Sequence, residues 1–145
     1  MRIADILRSK GSAVATVTET TTVTALLAEL AVRNIGAMVV VGPDGAPIGI
    51  VSERDVIRSL QERGAEVLRA PVADIMSGAV LTCMPEDRVD DLAAMMTDHR
   101  VRHIPVLAEG RLAGIVSIGD VVKNRLEELG AERQQLEAYI TQGGR

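Results

Sequence analysis

The chain contains no tryptophan and no phenylalanine, and its one tyrosine is Tyr139. Hydrophobic residues nevertheless make up 47% of its 145 residues. The core must therefore be built from Val, Ile, Leu, Ala and Met, which suits layered helices and strands. The same absence removes the aromatic platforms on which single strands stack their bases. A formal charge of -4 removes the basic footprint that nucleic-acid binding needs, so no nucleic-acid partner is expected. Cysteine occurs once, as Cys83. No disulfide can form within the chain, in keeping with a reducing compartment, and a small buried hydrophobe is a simpler reading than a reactive thiol. No apolar run approaches the roughly 20 residues that span a bilayer. The opening MRIADILRSKG has no apolar stretch of the signal-peptide kind. The expectation is a cytoplasmic protein without a membrane partner, folded around one true core.

What the chain does have is repetition. GIVSERD at residues 49 to 55 returns as GIVSIGD at 114 to 120. ADIL (4 to 7) matches ADIM (73 to 76), and TVTALLAELAVRNIGAMVVV (22 to 41) matches RVDDLAAMMTDHRVRHIPVL (88 to 107). Val23 then falls over Val89, Leu26 over Leu92, Ile35 over Val101 and Met38 over Ile104. The chain is a tandem duplication, divided as residues 1–61, a linker at 62–72, residues 73–129 and a tail at 130–145.

Each copy predicts a β-α-β-β-α unit. AVATV (13 to 17) and AVLTCM (79 to 84) suggest short first strands. TVTALLAELAVRN and DRVDDLAAMMTDH carry apolar residues at helical spacing, with Thr22 and Asp87 or a nearby polar residue as N-caps. AMVVVG and HIPVLA are continuous apolar runs of the buried-strand type. GPDG and AEG supply turns before PIGIVS and RLAGIVS, and a second helix follows. The fold class is α/β (α+β by some schemes): two repeats packed about a pseudo-twofold axis, with a C-terminal helical extension. Gly130 interrupts that extension, leaving one helix or two open. Val122, Leu126, Leu129, Leu136 and Ile140 fall near a heptad seam, which fits either a cover for its own domain or an arm to a second chain.

Ser52-x-x-Asp55 and Ser117-x-x-Asp120 each stand where a strand gives way to a helix. One reading is a capping box, the serine accepting from the third helical N–H while the acid reaches back. The other is a ligand seat: a helix N-terminus suits phosphate, and a carboxylate there can accept from both hydroxyls of a ribose. Gly49 and Gly114, three residues before each serine, keep side chains away from the approach. The serine can serve both purposes.

The duplication, the ADIL and ADIM segments and the two G-h-h-S-x-x-D endings resemble a tandem pair of CBS domains, over residues 1 to 129. The ILRSKG start and the SERD junction resemble small stand-alone bacterial CBS-domain proteins. The resemblance implies a disc-shaped homodimer and two clefts for adenosine ligands such as AMP, ATP or NAD(H). It implies one cleft around Asp120 as ribose acceptor, with Ser117 and Gly119 toward phosphate, Arg102 as the basic partner, Ala15, Ile35 and Gly36 against the adenine, and Ile115 among the nucleotide-binding residues. Lys10 borders that cleft. The other would use Asp55 and Ser52, with Arg54 toward phosphate, Val80, Leu81 and Val101 as the wall, and Ile50 among the nucleotide-binding residues. Because Gly36 and Ala37 stand opposite Arg102 and His103 in the repeat, the two clefts are expected to differ in ligand or affinity.

Other polar groups have plainer readings. Arg54, Arg100 and Arg102 could equally be solvated or paired, although Arg54 beside Asp55 suits bidentate phosphate contact. His99 and His103 are separated by a helix-to-strand turn, so no metal site is expected. Met95 and Met96 read as packing. No nucleophile–base pair, GxGxxG or P-loop is present. The expectation is a non-catalytic sensor with no catalytic cofactor, acting on an unknown regulated protein. The alternative is a protein-interaction homodimer with empty clefts.

Overall fold

The computed structural model describes residues 1–78 and 81–143. The first repeat comprises α1 (Ile3–Lys10), β1 (Thr16–Thr18), α2 (Val23–Arg33), β2 (Ala37–Val41), β3 (Pro47–Ser52) and α3 (Glu53–Arg63). Short 3-10 helices at Ala65–Arg69 and Val72–Asp74 lead to the second repeat, with α4 (Val89–His99), β4 (His103–Ala108), β5 (Arg111–Ser117) and α5 (Ile118–Gly143).

The helices form where the apolar spacing places them. Helix α2 buries Val23, Leu26 and Leu30, and α4 buries Val89, Leu92 and Met96, one stripe each against a sheet. Thr22 caps α2, its hydroxyl accepting from Ala25 N–H at 3.2 Å. The expected Asp87 cap is not formed. Arg88 is the N-cap of α4 and makes no side-chain cap bond, while the Asp87 carboxylate accepts from Met84 N–H at 2.8 Å in the preceding turn. Both helices end in the left-handed region at repeat-equivalent residues, Asn34 (φ 53°) and Arg100 (φ 54°).

In the first repeat β1 pairs parallel with β2, and β2 antiparallel with β3. In the second, β4 and β5 form an antiparallel pair. The same ladder irregularity occurs at Val40/Val41 and at Val106/Leu107, equivalent positions that preserve the duplication in backbone detail. The first strands are weaker than expected. AVATV shortens to the last two of its residues plus Thr18. In AVLTCM, Ala79 and Val80 lie outside the described residues, and Cys83 makes only an isolated parallel bridge to Val106.

The two cores are completed by exchange. Ile3 and Ile6, from the start of the chain, are buried in the second repeat's cluster with Cys83, Leu92, Met96, Ile104 and Val116. Val72 joins the first repeat's cluster with Val23, Leu26, Met38, Val40 and Val51, and Ile75 and Met76 pack against it. Backbone hydrogen bonds repeat the pattern. Ile3 N–H donates to Asp87 O at 2.9 Å and Ala4 N–H to Pro85 O at 2.9 Å, while Val72 N–H donates to Thr21 O at 2.7 Å. Each leading segment thus belongs physically to the other copy. Full burial of a side chain such as Ile3 stabilises the pair by about 1.5–3 kcal/mol.

Helix α5 runs unbroken through Gly130, which settles the open choice in favour of one helix. A glycine in an exposed helix interior costs about 1 kcal/mol, and strong helix formers flank this one on both sides. Val122, Leu126, Leu129, Leu136, Tyr139 and Ile140 remain exposed along it. Among the described residues, no helix is long and apolar enough to cross a membrane.

Candidate functional site

The two strand-to-helix junctions have nearly the same geometry. Ser52 Oγ accepts from Asp55 N–H at 3.3 Å, while Ser52 N–H and Oγ both donate to Asp55 Oδ2, at 2.8 and 3.0 Å. The corresponding distances at Ser117 and Asp120 are 3.1, 2.8 and 3.0 Å. The capping box is therefore formed in both copies. It uses one carboxylate oxygen only. Neither Asp55 nor Asp120 uses its Oδ1 in a hydrogen bond among the described residues, so each acid keeps an acceptor for another donor.

A cavity lies beside each junction, between the repeats. The one at Asp55 has a volume of about 270 Å³ and the one near Ser117 about 460 Å³, close to or within the size range of small-molecule sites. Ile50, Ser52, Arg54 and Asp55 come from the β3–α3 junction, and Leu81 and Val101 from the second repeat complete the first cavity. Val80, expected on the same wall, lies outside the described residues. Ala15, Ile35 and Gly36 of the first repeat face Ile115 and Ser117 of the second across the larger cavity, with Lys10 at its side.

Two sequence-based placements are corrected. Arg102 lines the Asp55 cavity instead of the Asp120 one. It lies between the left-handed turn at Arg100 and the first residue of β4, beside α3 of the other repeat. Gly119 and Asp120 do not line the larger cavity. Lys10 Nζ donates to Asp120 Oδ2 at 2.7 Å and to Ile115 O at 2.8 Å, and so stands between them. Asp120 instead borders a separate hollow of about 110 Å³ with Asp5, Ser9 and Lys123.

Several lining residues escaped the sequence reading. They include His103, which lines both cavities, Arg58 in the first and Arg33 in the second, while Gly36, expected at the second, lines both and Arg100 lines the first. Only Arg58 left a signal, one helical turn after Arg54 on the same face. His103 is paired with Ser117 across the β4–β5 ladder. Burial lowers its pKa, the charges of Lys10 and Arg102 lower it further, and Asp120 and Glu53 oppose them. For Asp120, burial alone would raise the carboxyl. Hydrogen bonds from Lys10 and Ser117, with the Lys10 charge, outweigh that and hold it below the ordinary carboxylate value. Burial, with the nearby Asp87 charge, pushes the Cys83 thiol up to about 12. Among the described residues, no group of three or more His, Cys, Asp or Glu could hold a metal ion.

Comparison with known proteins gives the arrangement a place. The CBS domain family matches the chain twice, over residues 3–62 and 72–127. The chain is 39% identical to the mitochondrial CBS domain-containing protein CBSX3 of Arabidopsis thaliana, over 98% of this chain and 72% of the relative. It is 40% identical to the CBS-domain containing protein ATU1752 from Agrobacterium tumefaciens, with a TM-score of 0.84 over 86% of this chain and 99% of that one. The CBS domain pair of protein MJ0100, solved with 5'-methylthioadenosine and S-adenosyl-L-methionine, shares the fold at 22% identity, with a TM-score of 0.79 over 88% of this chain and 98% of that one. With both repeats matched and the two S-x-x-D junctions facing paired cavities, the chain belongs to the CBS domain family as a tandem pair.

Proposed function

We propose that this CBS pair is a non-catalytic regulatory module that binds adenosine nucleotides (AMP, ATP or NAD(H)) in the two cavities between its repeats. The supporting observation is the composition of each cavity. Each combines a serine at a strand-to-helix junction with an aliphatic wall from the opposite repeat; Asp55 lines the first cavity, and Asp120 stands next to the second behind Lys10. A purine would lie between Ile50, Leu81 and Val101 on one side, or between Ala15, Ile35 and Ile115 on the other. The MJ0100 pair holds two adenosine compounds in the same fold.

A signal follows from the exchanged segments. Lys10 ends α1, whose apolar face is buried in the second repeat's core. A ribose in the larger cavity reaches Asp120 past Lys10, and a ligand that moves Lys10 would bear on α1. A ligand that binds one arrangement better moves the equilibrium by that difference in affinity. The exposed apolar residues of α5 favour a homodimer as the unit that presents this shift to a regulated protein. A reducing, cytoplasmic setting suits the single buried cysteine.

A thermal-shift panel tests the proposal, using AMP, ATP, NAD and NADH with GTP as control on protein shown to be ligand-free. Ligand at a hundred times its dissociation constant adds about 2.7 kcal/mol, a rise of several degrees for a domain of this size. No rise with any adenosine ligand would leave the interaction-dimer alternative, with the junctions acting as caps alone.

A further inference from the structure

We infer that the Asp55 cavity is built for a ligand carrying two or more phosphate groups, and that the larger cavity at Ser117 takes a ligand of lower charge. The inference rests on the proposal that both cavities hold adenosine ligands, and it assigns them different ones.

Arg54 and Arg58 from the first repeat and Arg100 and Arg102 from the second converge on the Asp55 cavity, against the two carboxylates Glu53 and Asp55. The chain has 20 acidic residues and a net charge of -4, so acids are available to pair with basic side chains, although Arg2, Arg69, Arg88 and Arg111 also form no ion pair among the described residues. Arg8, Arg33, Arg63, Arg125 and Arg133 each hold an acid. Among the described residues, none of the four cavity arginines forms an ion pair within 4 Å. Planar guanidinium forks arriving from both repeats suit several phosphate oxygens at once.

The duplication supplies an internal comparison. The residues equivalent to Arg54, Arg58, Arg100 and Arg102 in the other copy are Gly119, Lys123, Asn34 and Gly36, so three of four cationic positions are lost. The cations that line the Ser117 cavity are already paired, Lys10 with Asp120 at 2.7 Å and Arg33 with Glu29 at 2.9 Å. One cavity carries uncompensated positive charge. The other does not.

Titration calorimetry with adenosine, AMP, ADP, ATP and inorganic tripolyphosphate, without divalent cations and at low and high salt, tests the assignment. The full chain is compared with an Arg58→Gln/Arg102→Gln variant and with Lys123→Gln, which replaces the equivalent of Arg58 outside the two large cavities. ATP should bind about tenfold or more tighter than adenosine, with the gain reduced by salt, abolished in the double variant and kept in Lys123→Gln. Equal affinity for adenosine and ATP, or an unchanged gain in the double variant, would overturn the inference while leaving the adenosine proposal standing. Tripolyphosphate binding that is lost in the double variant, with no adenosine compound bound, would support the anion site and end the adenosine proposal. Binding of neither class would end both.

Discussion

Leu7 and Gly114 are in contact so close that no side chain fits between them. A Cβ on Gly114 would fall 2.6 Å from Leu7 Cδ2. Leu7 belongs to the leading segment of the first repeat and Gly114 to β5 of the second. The reciprocal contact sets Gly49 against the second repeat's leading segment, where a Cβ would fall 2.8 Å from Met76 Sδ and 2.8 Å from Ser77 O. The glycine of G-h-h-S-x-x-D is therefore needed for the exchange that completes the two cores, besides leaving room at the junction.

The two glycines are predicted to differ in tolerance. In Gly114→Ala the obstacle is the end of a leucine side chain, which can turn away, so the cost should be about 1 kcal/mol. In Gly49→Ala it includes a backbone carbonyl that accepts from Ile50 N–H at 3.1 Å, and the cost should be about 2–3 kcal/mol. Urea denaturation of both variants checks the order. Leu7→Ala in the Gly114→Ala background should cost less than in the wild type, because the two residues are in contact.

Asp55→Asn and Asp120→Asn should each lower stability by about 1 kcal/mol, the usual size of a lost cap, and leave the fold intact by circular dichroism. The same substitutions should weaken nucleotide binding, since an amide provides one acceptor oxygen where the carboxylate provides two. A variant with lowered stability and unchanged affinity would restrict that aspartate to capping.

The Lys10–Asp120 pair makes a signed pH prediction. The folded carboxyl is held below its ordinary value, so the folded state binds fewer protons than the unfolded one just below pH 4. The pair's stability is present above that value and is lost as pH falls through the lower folded pKa. Lys10→Met should cost about 1 kcal/mol at pH 7, and the difference from wild type should close in strong acid. For His103, which is also lowered, the stabilising preference for neutral imidazole is present above about pH 6.5 and is lost as pH falls through the folded value. Wild type should therefore lose stability relative to His103→Gln between pH 7 and 5, measured by denaturation midpoints across that range.

Much of this was legible in the sequence, and what was not has a physical cause. The stripes Val23-Leu26-Leu30 and Val89-Leu92-Met96 are local, as are the capping boxes, so periodicity and spacing disclosed them. The exchange of leading segments was hidden because Leu7 and Gly114 are distant in the chain, and no local pattern announces their contact. Asp120 read as an open acceptor because its partner, Lys10, lies 110 residues away. Arg102 was set on the wrong side because a residue between a left-handed turn and a strand has no periodicity to orient it. Among the described residues of the strand expected around Cys83, one bridge forms, since apolar content alone does not ensure a continuous ladder.

Cys83 should be inert in the native protein. It is buried, and its thiol is raised to about 12, so almost no thiolate exists at pH 8, and the thiolate is the reactive form. An aromatic disulfide reagent should label it fully in denaturant and only slowly without it. Rapid labelling of the folded chain would contradict the packing described for the second core.

The most direct test of nucleotide binding between the repeats is titration calorimetry of ATP into ligand-free protein, run at two temperatures so that a zero enthalpy cannot hide binding. The wild type and an Asp55→Asn/Asp120→Asn variant, both verified as folded, are titrated side by side. The account predicts saturable binding to the wild type and an affinity at least about tenfold weaker in the variant, roughly 1.4 kcal/mol. Equal affinity in the two proteins, or no saturable heat from the wild type at either temperature, would contradict it.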